Sequence, residues 1–359
     1  MEIKPIQVAV LAATGSVGQR FIQLLDNHPW FKVVALTASD RSEGRRYEEA
    51  CHWIIPEKMP AWAKDMVVLP NTVEAIKNQG DVKIVFSALP TEIAKACEHE
   101  FAEQGIYVCS NASAYRKEED VPILLPEVNP DHLDLLPIQQ RKRGWKGAII
   151  TNPNCTSTGL TVVLKALHDH FGVKTGFVVS MQAISGAGYP GVPSLDILDN
   201  VVPFIGGEES KVEWEPRKMI GKIVGEKITL APFILSAHTN RVAVSDGHLV
   251  CLSVQLEKEA DIEEVVHCLR NYKAPDEIID LPSCPKPVIE VLIAEDRPQP
   301  RLDRMIGKGM TTVVGRVRKD PIATVKMIIL SHNTIRGAAG GSLFNAELLV
   351  KRKMRVLKE

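Results

Sequence analysis

The stretch TNPNCTSTG, residues 151–159, places a cysteine where its sulfur could act as a nucleophile. Pro153 favours an extended conformation for Asn152, so the preceding apolar strand should end there. Cys155 then begins a helix, whose N-terminal dipole stabilises a thiolate and whose first N–H groups can bind an oxyanion. Asn154 could add a side-chain donor to that oxyanion. The alternative is that Cys155 is a small buried apolar residue.

The other cysteines are weaker candidates for a nucleophile. Four of them lie in apolar surroundings away from a helix start, and we interpret these as buried apolar residues: Cys97, Cys109, Cys251 and Cys268. The seven cysteines form no CxxC pair, and an odd count without a secretory signal indicates reduced thiols in a cytoplasmic protein. We therefore expect no disulfide framework.

A thiol that adds to an aldehyde or acyl group needs an acid or base, and histidine is the usual residue. His248 opens a predicted strand, with Arg241 seven positions earlier; the alternative is a purely structural histidine. His168 and His170 do not share a helical face, so they make a poor metal pair, and we predict no metal site. We interpret five further histidines as surface or helix-end residues: His28, His52, His99, His132 and His267.

A second motif, AATGSVG at residues 12–18, lies between a predicted strand (6–13) and a predicted helix (17–28). It reads A-x-G-x-x-G from Ala13, with alanine in place of one glycine of the dinucleotide fingerprint. In that position, first-turn N–H groups of the helix can bind a pyrophosphate. The motif therefore predicts a nucleotide site, and the alternative is a plain tight turn.

The segment after the second predicted strand (32–39) bears on the choice of cofactor. Ser39, Arg41 and Ser42 are donors that suit a 2′-phosphate, which favours NADP. Asp40 would instead suit the free ribose hydroxyl of NAD, and an ordinary solvated loop is the remaining alternative.

Apolar strands alternate with helices through the first 150 residues, which indicates an α/β fold with a parallel sheet covered on both faces. Beyond Cys155 the predicted strands are longer and the helices fewer, which indicates an α+β domain. We predict a Rossmann-type nucleotide domain at 1–154 and a catalytic domain at 155–332. The later strands are expected at 174–185, 237–244, 247–256, 310–318 and 323–331, with helices at 156–172, 208–222 and 261–271.

Length and composition limit the class of protein. The 359 residues suggest two or three domains, and 45% hydrophobic with 24% charged residues is ordinary for a globular chain. A net charge of −1 gives no electrostatic reason to expect binding to nucleic acid or to a membrane surface. No apolar run approaches the length of a membrane span.

Seven motifs together resemble the aspartate-β-semialdehyde dehydrogenases, most closely their archaeal and fungal branch. They occur in the family's order and span the chain from residue 6 to about 350: AATGSVG, SNASAYR, NPNCTSTG, QAISGAGYPG, GEESK, RVAVSDGH and HNTIRGAAGG. The resemblance implies a fold like that of glyceraldehyde-3-phosphate dehydrogenase. It also implies a dimer interface in the second domain, a homodimer or homotetramer, and a C-terminal helix (333–359) that completes the nucleotide domain.

The resemblance also implies roles for individual residues. Three act on the reacting carbonyl: Cys155 as nucleophile, His248 as acid/base and Gln182 as an orienting group. Four bind substrate: Arg241 the carboxylate, Glu208 (or its neighbour Glu209) the ammonium, and Arg116 with Lys211 the phosphate. The cofactor contacts are Thr14, Gly15, Ser16 and Val17 at the pyrophosphate, Ser87 at a strand end, and Ser185, Gly186 and Asn333 at the nicotinamide.

The family's activity is the NADPH-dependent conversion of L-aspartyl 4-phosphate to L-aspartate 4-semialdehyde and phosphate, through a Cys155 thioester. This reaction feeds lysine, threonine and methionine biosynthesis. Three alternatives remain: a malonyl-CoA reductase, an N-acetyl-glutamyl-phosphate reductase, and a non-catalytic NADP-binding regulator. The joint presence of Cys155, His248 and Arg241 argues against the regulator. Residues 192–207 have no anchor that the sequence reveals.

Overall fold

The computed structural model describes residues 5–356, and the side chains of residues 5–353. Its first sheet is entirely parallel, with strand order β3-β2-β1-β4-β5-β6. The strands are β1 (Ile6–Leu11), β2 (Phe31–Thr37), β3 (Val68–Leu69), β4 (Ile84–Ser87), β5 (Tyr107–Ser110) and β6 (Ala148–Thr151). The helices are α1 (Ser16–Leu24), α2 (Tyr47–Ala50), α3 (Ala61–Lys64), α4 (Val73–Lys77), α5 (Thr91–Glu103) and α6 (Leu135–Arg143). The order reverses between β1 and β4, so a ligand crevice opens at their carboxyl ends.

The predicted dinucleotide turn joins β1 to α1. Gly15 precedes the first residue of α1 in an extended conformation. A Cβ atom on Gly18 would lie 2.3 Å from the carbonyl oxygen of Ala12, so α1 can pack on the turn only because residue 18 is glycine. Gln19 donates a hydrogen bond from its side-chain amide to the carbonyl oxygen of Thr14 at 3.0 Å, which holds the turn in place.

The second sheet is mixed, with strand order β10-β7-β11-β14-β13-β12. Its strands are β7 (Val173–Gln182), β10 (Ile234–Arg241), β11 (His248–Leu256), β12 (Ile289–Leu292), β13 (Thr312–Lys319) and β14 (Val325–Ser331); β8 (Lys222–Val224) and β9 (Lys227–Thr229) form a separate hairpin. The helices are α7 (Cys155–Phe171), α8 (Ser194–Ile197), α9 (Glu208–Ile220), α10 (Ile262–Arg270) and α11 (Pro300–Asp303). Helices α7, α9 and α10 pack on this sheet, while alternate residues of β7 and β10 remain exposed. The α/β class with a parallel Rossmann-type sheet is confirmed, as is an α+β second part of the chain.

The chain returns to the first sheet at its end. A π-helix (Ile335–Ala339) leads into α12 (Gly340–Val356), whose Leu343 and Phe344 join the core that contains Phe86 of β4. Residues 1–4 and 357–359 of the predicted segments lie outside the described residues, and the domain boundary at 154 stays a prediction. Within residues 5–356, no helix combines the length and apolarity needed to cross a membrane.

Candidate active site

A thiol–imidazole pair lies where the two sheets meet. Cys155 is the first residue of α7 and follows β6, and His248 is the first residue of β11. The Sγ atom of Cys155 lies 3.2 Å from Nε2 of the buried His248. The backbone N–H of Ala183 donates to Nδ1 of His248 at 3.1 Å, so the neutral ring carries its proton on Nε2. His248 therefore faces Cys155 as a proton donor.

Asn154 caps the helix that Cys155 begins. Its Oδ1 atom accepts hydrogen bonds from the N–H groups of Thr156 (3.0 Å) and Ser157 (3.2 Å). Its Nδ2 atom donates to Oε1 of Glu208 at 2.8 Å. The Nδ2 group has a second hydrogen, so the role of Asn154 as a donor to an oxyanion stays a prediction. The N–H of Cys155 has no partner within the helix and can serve as a further donor.

The π-helix packs directly against the nucleophile candidate. A Cβ atom on Gly337 would lie 2.8 Å from Cβ of Cys155, so residue 337 must be glycine for this approach. Asn152 donates its side-chain amide to the carbonyl oxygen of Gly337 at 3.2 Å, which ties the end of β6 to the same segment. Single π-turns of this kind often occur at functional sites.

A cavity of about 680 Å³ contains most of the residues predicted for catalysis and substrate binding. Its lining includes Asn154, Cys155, Gln182, Arg116, Glu208, Lys211 and Arg241. His248 contacts Cys155 but is not part of the cavity lining. Gln182 donates a hydrogen bond to Oε1 of Glu208 at 3.2 Å. Glu209 instead points away, since it accepts a hydrogen bond from the N–H of Thr239. Of the two adjacent glutamates, Glu208 is therefore the one that faces the cavity.

The same cavity extends to the dinucleotide turn. Gly15, Ser16 and Val17 line it at one end, and Ser185, Gly186 and Asn333 line it near the thiol. One elongated ligand can therefore contact both the N-terminus of α1 and Cys155, as a dinucleotide would. Asn333 also positions its neighbours, because Nδ2 donates to Oγ of Ser185 and Oδ1 accepts from the N–H of Gly247, both at 2.8 Å.

Other predicted cofactor contacts lie outside the cavity lining. The Ser87 side chain is fully buried, and residues 88–91 form the wall after β4 instead. Thr14 is half-buried beside Gly15. Ser39 and Arg41 are exposed and Ser42 is half-buried, all just beyond the end of β2.

The anchor of residues 192–207 is visible only in the structure. Val202 forms an isolated antiparallel bridge with Arg241, through two backbone hydrogen bonds of 2.8 and 3.1 Å. Ile205 and Gly206, further along the loop, line the cavity. The loop therefore closes one side of the site and holds the strand end that carries Arg241.

Burial dominates the protonation of the thiol–imidazole pair. It raises the pKa of the Cys155 thiol to about 12, with Glu208 acting in the same direction and Arg116 and Arg241 opposing it. Burial also lowers the pKa of His248 to about 3, and the charge of Arg241 adds to that effect. In the free site both shifts favour the neutral thiol and the neutral imidazole, whereas the helix dipole acts in favour of the thiolate that we expected.

Two contributors to the site were missed by sequence reasoning. Glu215 accepts hydrogen bonds from Arg116 (2.9 Å) and from the backbone N–H of Asn154 (2.6 Å), and Lys218 contacts the segment that carries Arg116. The sequence does contain a pattern that could have identified them. Charged residues of alternating sign recur at positions 208, 211, 215 and 218, a spacing that puts all four on one face of a helix.

The doubly wound sheet and the crevice at its switch point are those of a nicotinamide-dependent dehydrogenase, and the Cys155 thiol lies at one end of that crevice. Family models described as "Semialdehyde dehydrogenase, NAD binding domain" and "Semialdehyde dehydrogenase, dimerisation domain" match residues 7–136 and 164–336. The chain belongs to the aspartate-semialdehyde dehydrogenase family, as its motifs indicated.

Individual relatives resemble the chain over nearly its full length. An aspartate-semialdehyde dehydrogenase of Archaeoglobus fulgidus is 52% identical, covering 97% of this chain and 98% of the relative. The Saccharomyces cerevisiae enzyme of that name is 45% identical, covering 96% and 98%. A crystal structure of aspartate semialdehyde dehydrogenase with NADP from Candida albicans superposes with a TM-score of 0.88, at 42% identity, covering 98% of this chain and 99% of that one.

The raised pKa of Cys155 predicts how the thiol is alkylated. Below its pKa the thiolate fraction grows tenfold per pH unit, so the iodoacetamide rate at Cys155 should rise about tenfold per unit between about pH 6 and about pH 9. Peptide mass spectrometry measures the rate at this position, with glutathione as the reference thiol. A fast rate that is independent of pH over this range would mean a preformed thiolate–imidazolium pair and would contradict the burial argument.

Proposed function

We propose that this protein catalyses the NADPH-dependent reductive dephosphorylation of L-aspartyl 4-phosphate to L-aspartate 4-semialdehyde, the step that supplies lysine, threonine and methionine biosynthesis. The observation that carries the proposal is the single cavity that joins the dinucleotide turn to Cys155 and contains Arg116, Lys211 and Arg241. The names and extents of the relatives support the same activity.

In the proposed first step, Sγ of Cys155 attacks the acyl carbon of aspartyl phosphate. The C–S bond forms and the C–O bond to phosphate breaks, so the thioester remains while inorganic phosphate departs together with the thiol proton. Arg116 and Lys211 supply positive charge for the phosphate, and Arg241 suits the substrate carboxylate. Glu208 suits the substrate ammonium.

The charge on Glu208 links substrate binding to thiol activation. The Glu208 carboxylate raises the pKa of Cys155 in the free site. A bound ammonium would neutralise this carboxylate, which would lower the pKa of the thiol only when substrate is present. This effect would favour the thiolate when substrate is bound, against burial, which is the larger cause of the raised pKa.

A cofactor bound in this cavity would supply a hydride to the thioester carbon, and cleavage of the C–S bond would then release the aldehyde and the Cys155 sulfur. The protein's own part is to stabilise negative charge. Nε2–H of His248 can donate first to the carbonyl oxygen and then to the departing sulfur, and the N–H of Cys155 adds a second donor. Gln182 is hydrogen-bonded to Glu208, and Asn333 is hydrogen-bonded to Ser185 and to the backbone N–H of Gly247, so both residues position the walls of the site.

NADP is proposed over NAD. The exposed donors Ser39 and Arg41, with Ser42, follow β2 where an adenosine ribose is bound in this fold. The Candida albicans relative was crystallised with NADP, which supports the same choice. A cytoplasmic location is part of the proposal, and the seven unbridged cysteines are compatible with it.

The activity is tested in the oxidative direction by following NADP reduction with aspartate semialdehyde, with and without inorganic phosphate. We expect phosphate-dependent turnover that Cys155→Ser lowers by more than about 10³-fold, since hydroxyl replaces the nucleophile. Cys97→Ser is the matched control, because that thiol lies on α5 away from the cavity. Turnover that ignores phosphate would contradict the acyl-phosphate assignment, and turnover with malonyl-CoA alone would favour a malonyl-CoA reductase.

We further propose a homodimer through the uncovered face of the second sheet. Phe177 on β7 is 45% exposed and Ile234 on the neighbouring β10 is 63% exposed, whereas the opposite face is covered by helices. A sheet face this apolar is typical of a protein interface. A homotetramer would need a second surface as well.

The assembly is measured by light scattering on the purified chain. We expect at least a dimer, and Phe177→Asp should lower the mass toward that of the monomer because it places a charge in the apolar interface. Lys174→Asp, at an exposed position nearer the start of β7, is the control. A monomeric wild-type chain at micromolar concentration would refute this interface.

A further inference from the structure

Helix α9 carries four charged residues on one face, at positions 208, 211, 215 and 218. The first two line the cavity. The last two lie one and two turns further on and are buried, with 0% exposure for Glu215 and 4% for Lys218. Buried charges are costly unless paired, so what they contact is informative.

The two oxygens of Glu215 have different partners. Oε1 accepts a hydrogen bond from Nη1 of Arg116 at 2.9 Å. Oε2 accepts one from the backbone N–H of Asn154 at 2.6 Å, directly before Cys155. One carboxylate thus joins the cation proposed for the phosphate to the residue that caps the helix of the nucleophile.

Lys218 holds the same cation from its backbone. Its Nζ donates to the carbonyl oxygens of Arg116 and Glu118, both at 2.7 Å, and of Val121 at 2.8 Å. The guanidinium of Arg116 is also held on its other side, where Nη2 donates to the carbonyl oxygen of Asn111 at 2.8 Å. The position of Arg116 is therefore fixed mainly by α9.

We propose that Glu215 is a positioning residue that sets the distance between the phosphate-binding guanidinium of Arg116 and the sulfur of Cys155. The inference rests on the proposed function, which assigns phosphate to Arg116. Glu215 does not touch the substrate; it aligns the anion site with the nucleophile, so that a phosphate on Arg116 stands at attack distance from the thioester carbon.

Glu215→Gln tests the proposal with little change of shape. Both partners of Glu215 are donors, and a glutamine amide has only one acceptor atom, so one of the two contacts must be lost. A hydrogen bond to a charged group is worth about 1.5–3 kcal/mol, which corresponds to about 10- to 100-fold in affinity. We expect the KM for inorganic phosphate to rise by about that factor, with the KM for semialdehyde changed by less than about threefold.

Glu213→Gln is the matched control. Glu213 is on the same helix but accepts a hydrogen bond from the N–H of Ala237 in the second sheet, away from the phosphate site. Its kinetic constants should stay at wild-type values. If Glu215→Gln fails to fold, Glu215→Asp keeps the charge but is one methylene too short for both partners, and should show a smaller rise in the same KM.

A double variant separates positioning from general structural damage. If Glu215 acts through Arg116, then Glu215→Gln should have no further effect on the phosphate KM in an Arg116→Gln background. An equal rise in both backgrounds, or an unchanged phosphate KM in the single variant, would overturn the proposal. If wild-type turnover itself ignores phosphate, the proposed function fails first, and this result is seen before any variant is compared.

Discussion

The contact between Sγ of Cys155 and Nε2 of His248, at 3.2 Å, is the interaction on which the rest of the site depends. The sulfur belongs to the helix that follows the last strand of the parallel sheet, and the imidazole opens a central strand of the mixed sheet. Neither sheet could form the pair alone. The two sheets must therefore keep one fixed relative position for the thiol and the imidazole to stay in contact.

Several buried polar contacts hold the two sheets in this relative position. Arg336 of the π-helix forms an ion pair with Glu127, both almost fully buried, beside the glycine that touches Cys155. Asn333 ties the turn before His248 to Ser185. Breaking a buried pair leaves an uncompensated charge, so such contacts specify one arrangement even where their net stabilisation is small.

The sequence was informative wherever local backbone rules decide the structure. Pro153 and the polar residues around it correctly placed Cys155 at a helix start, and AIIT at 148–151 is a strand with those bounds. Short elements such as β3 and the β8–β9 hairpin were missed because two or three residues show no periodicity. His132 was predicted as a surface or helix-end residue. It lies in the short helix Pro130–Asp134 but is buried, and its Nε2 is hydrogen-bonded to the carbonyl oxygen of Gly221 at 3.0 Å. Its partner is 89 residues away, which no local pattern reveals.

The protonation of the site was equally beyond local rules. The helix start led us to expect a thiolate, whereas burial in the folded structure raises the pKa of the Cys155 thiol, and the sequence alone does not show that burial. The hydrogen bond from the Asn154 amide to Glu208, 54 residues later, was likewise not visible in any local pattern. The central claim is that Cys155 carries the acyl group, and it is tested by mixing the protein with L-aspartyl 4-phosphate in the absence of cofactor. Mass spectrometry of the digest should find one aspartyl group on the Cys155 peptide, labile to hydroxylamine; full turnover with that peptide unmodified would contradict the account.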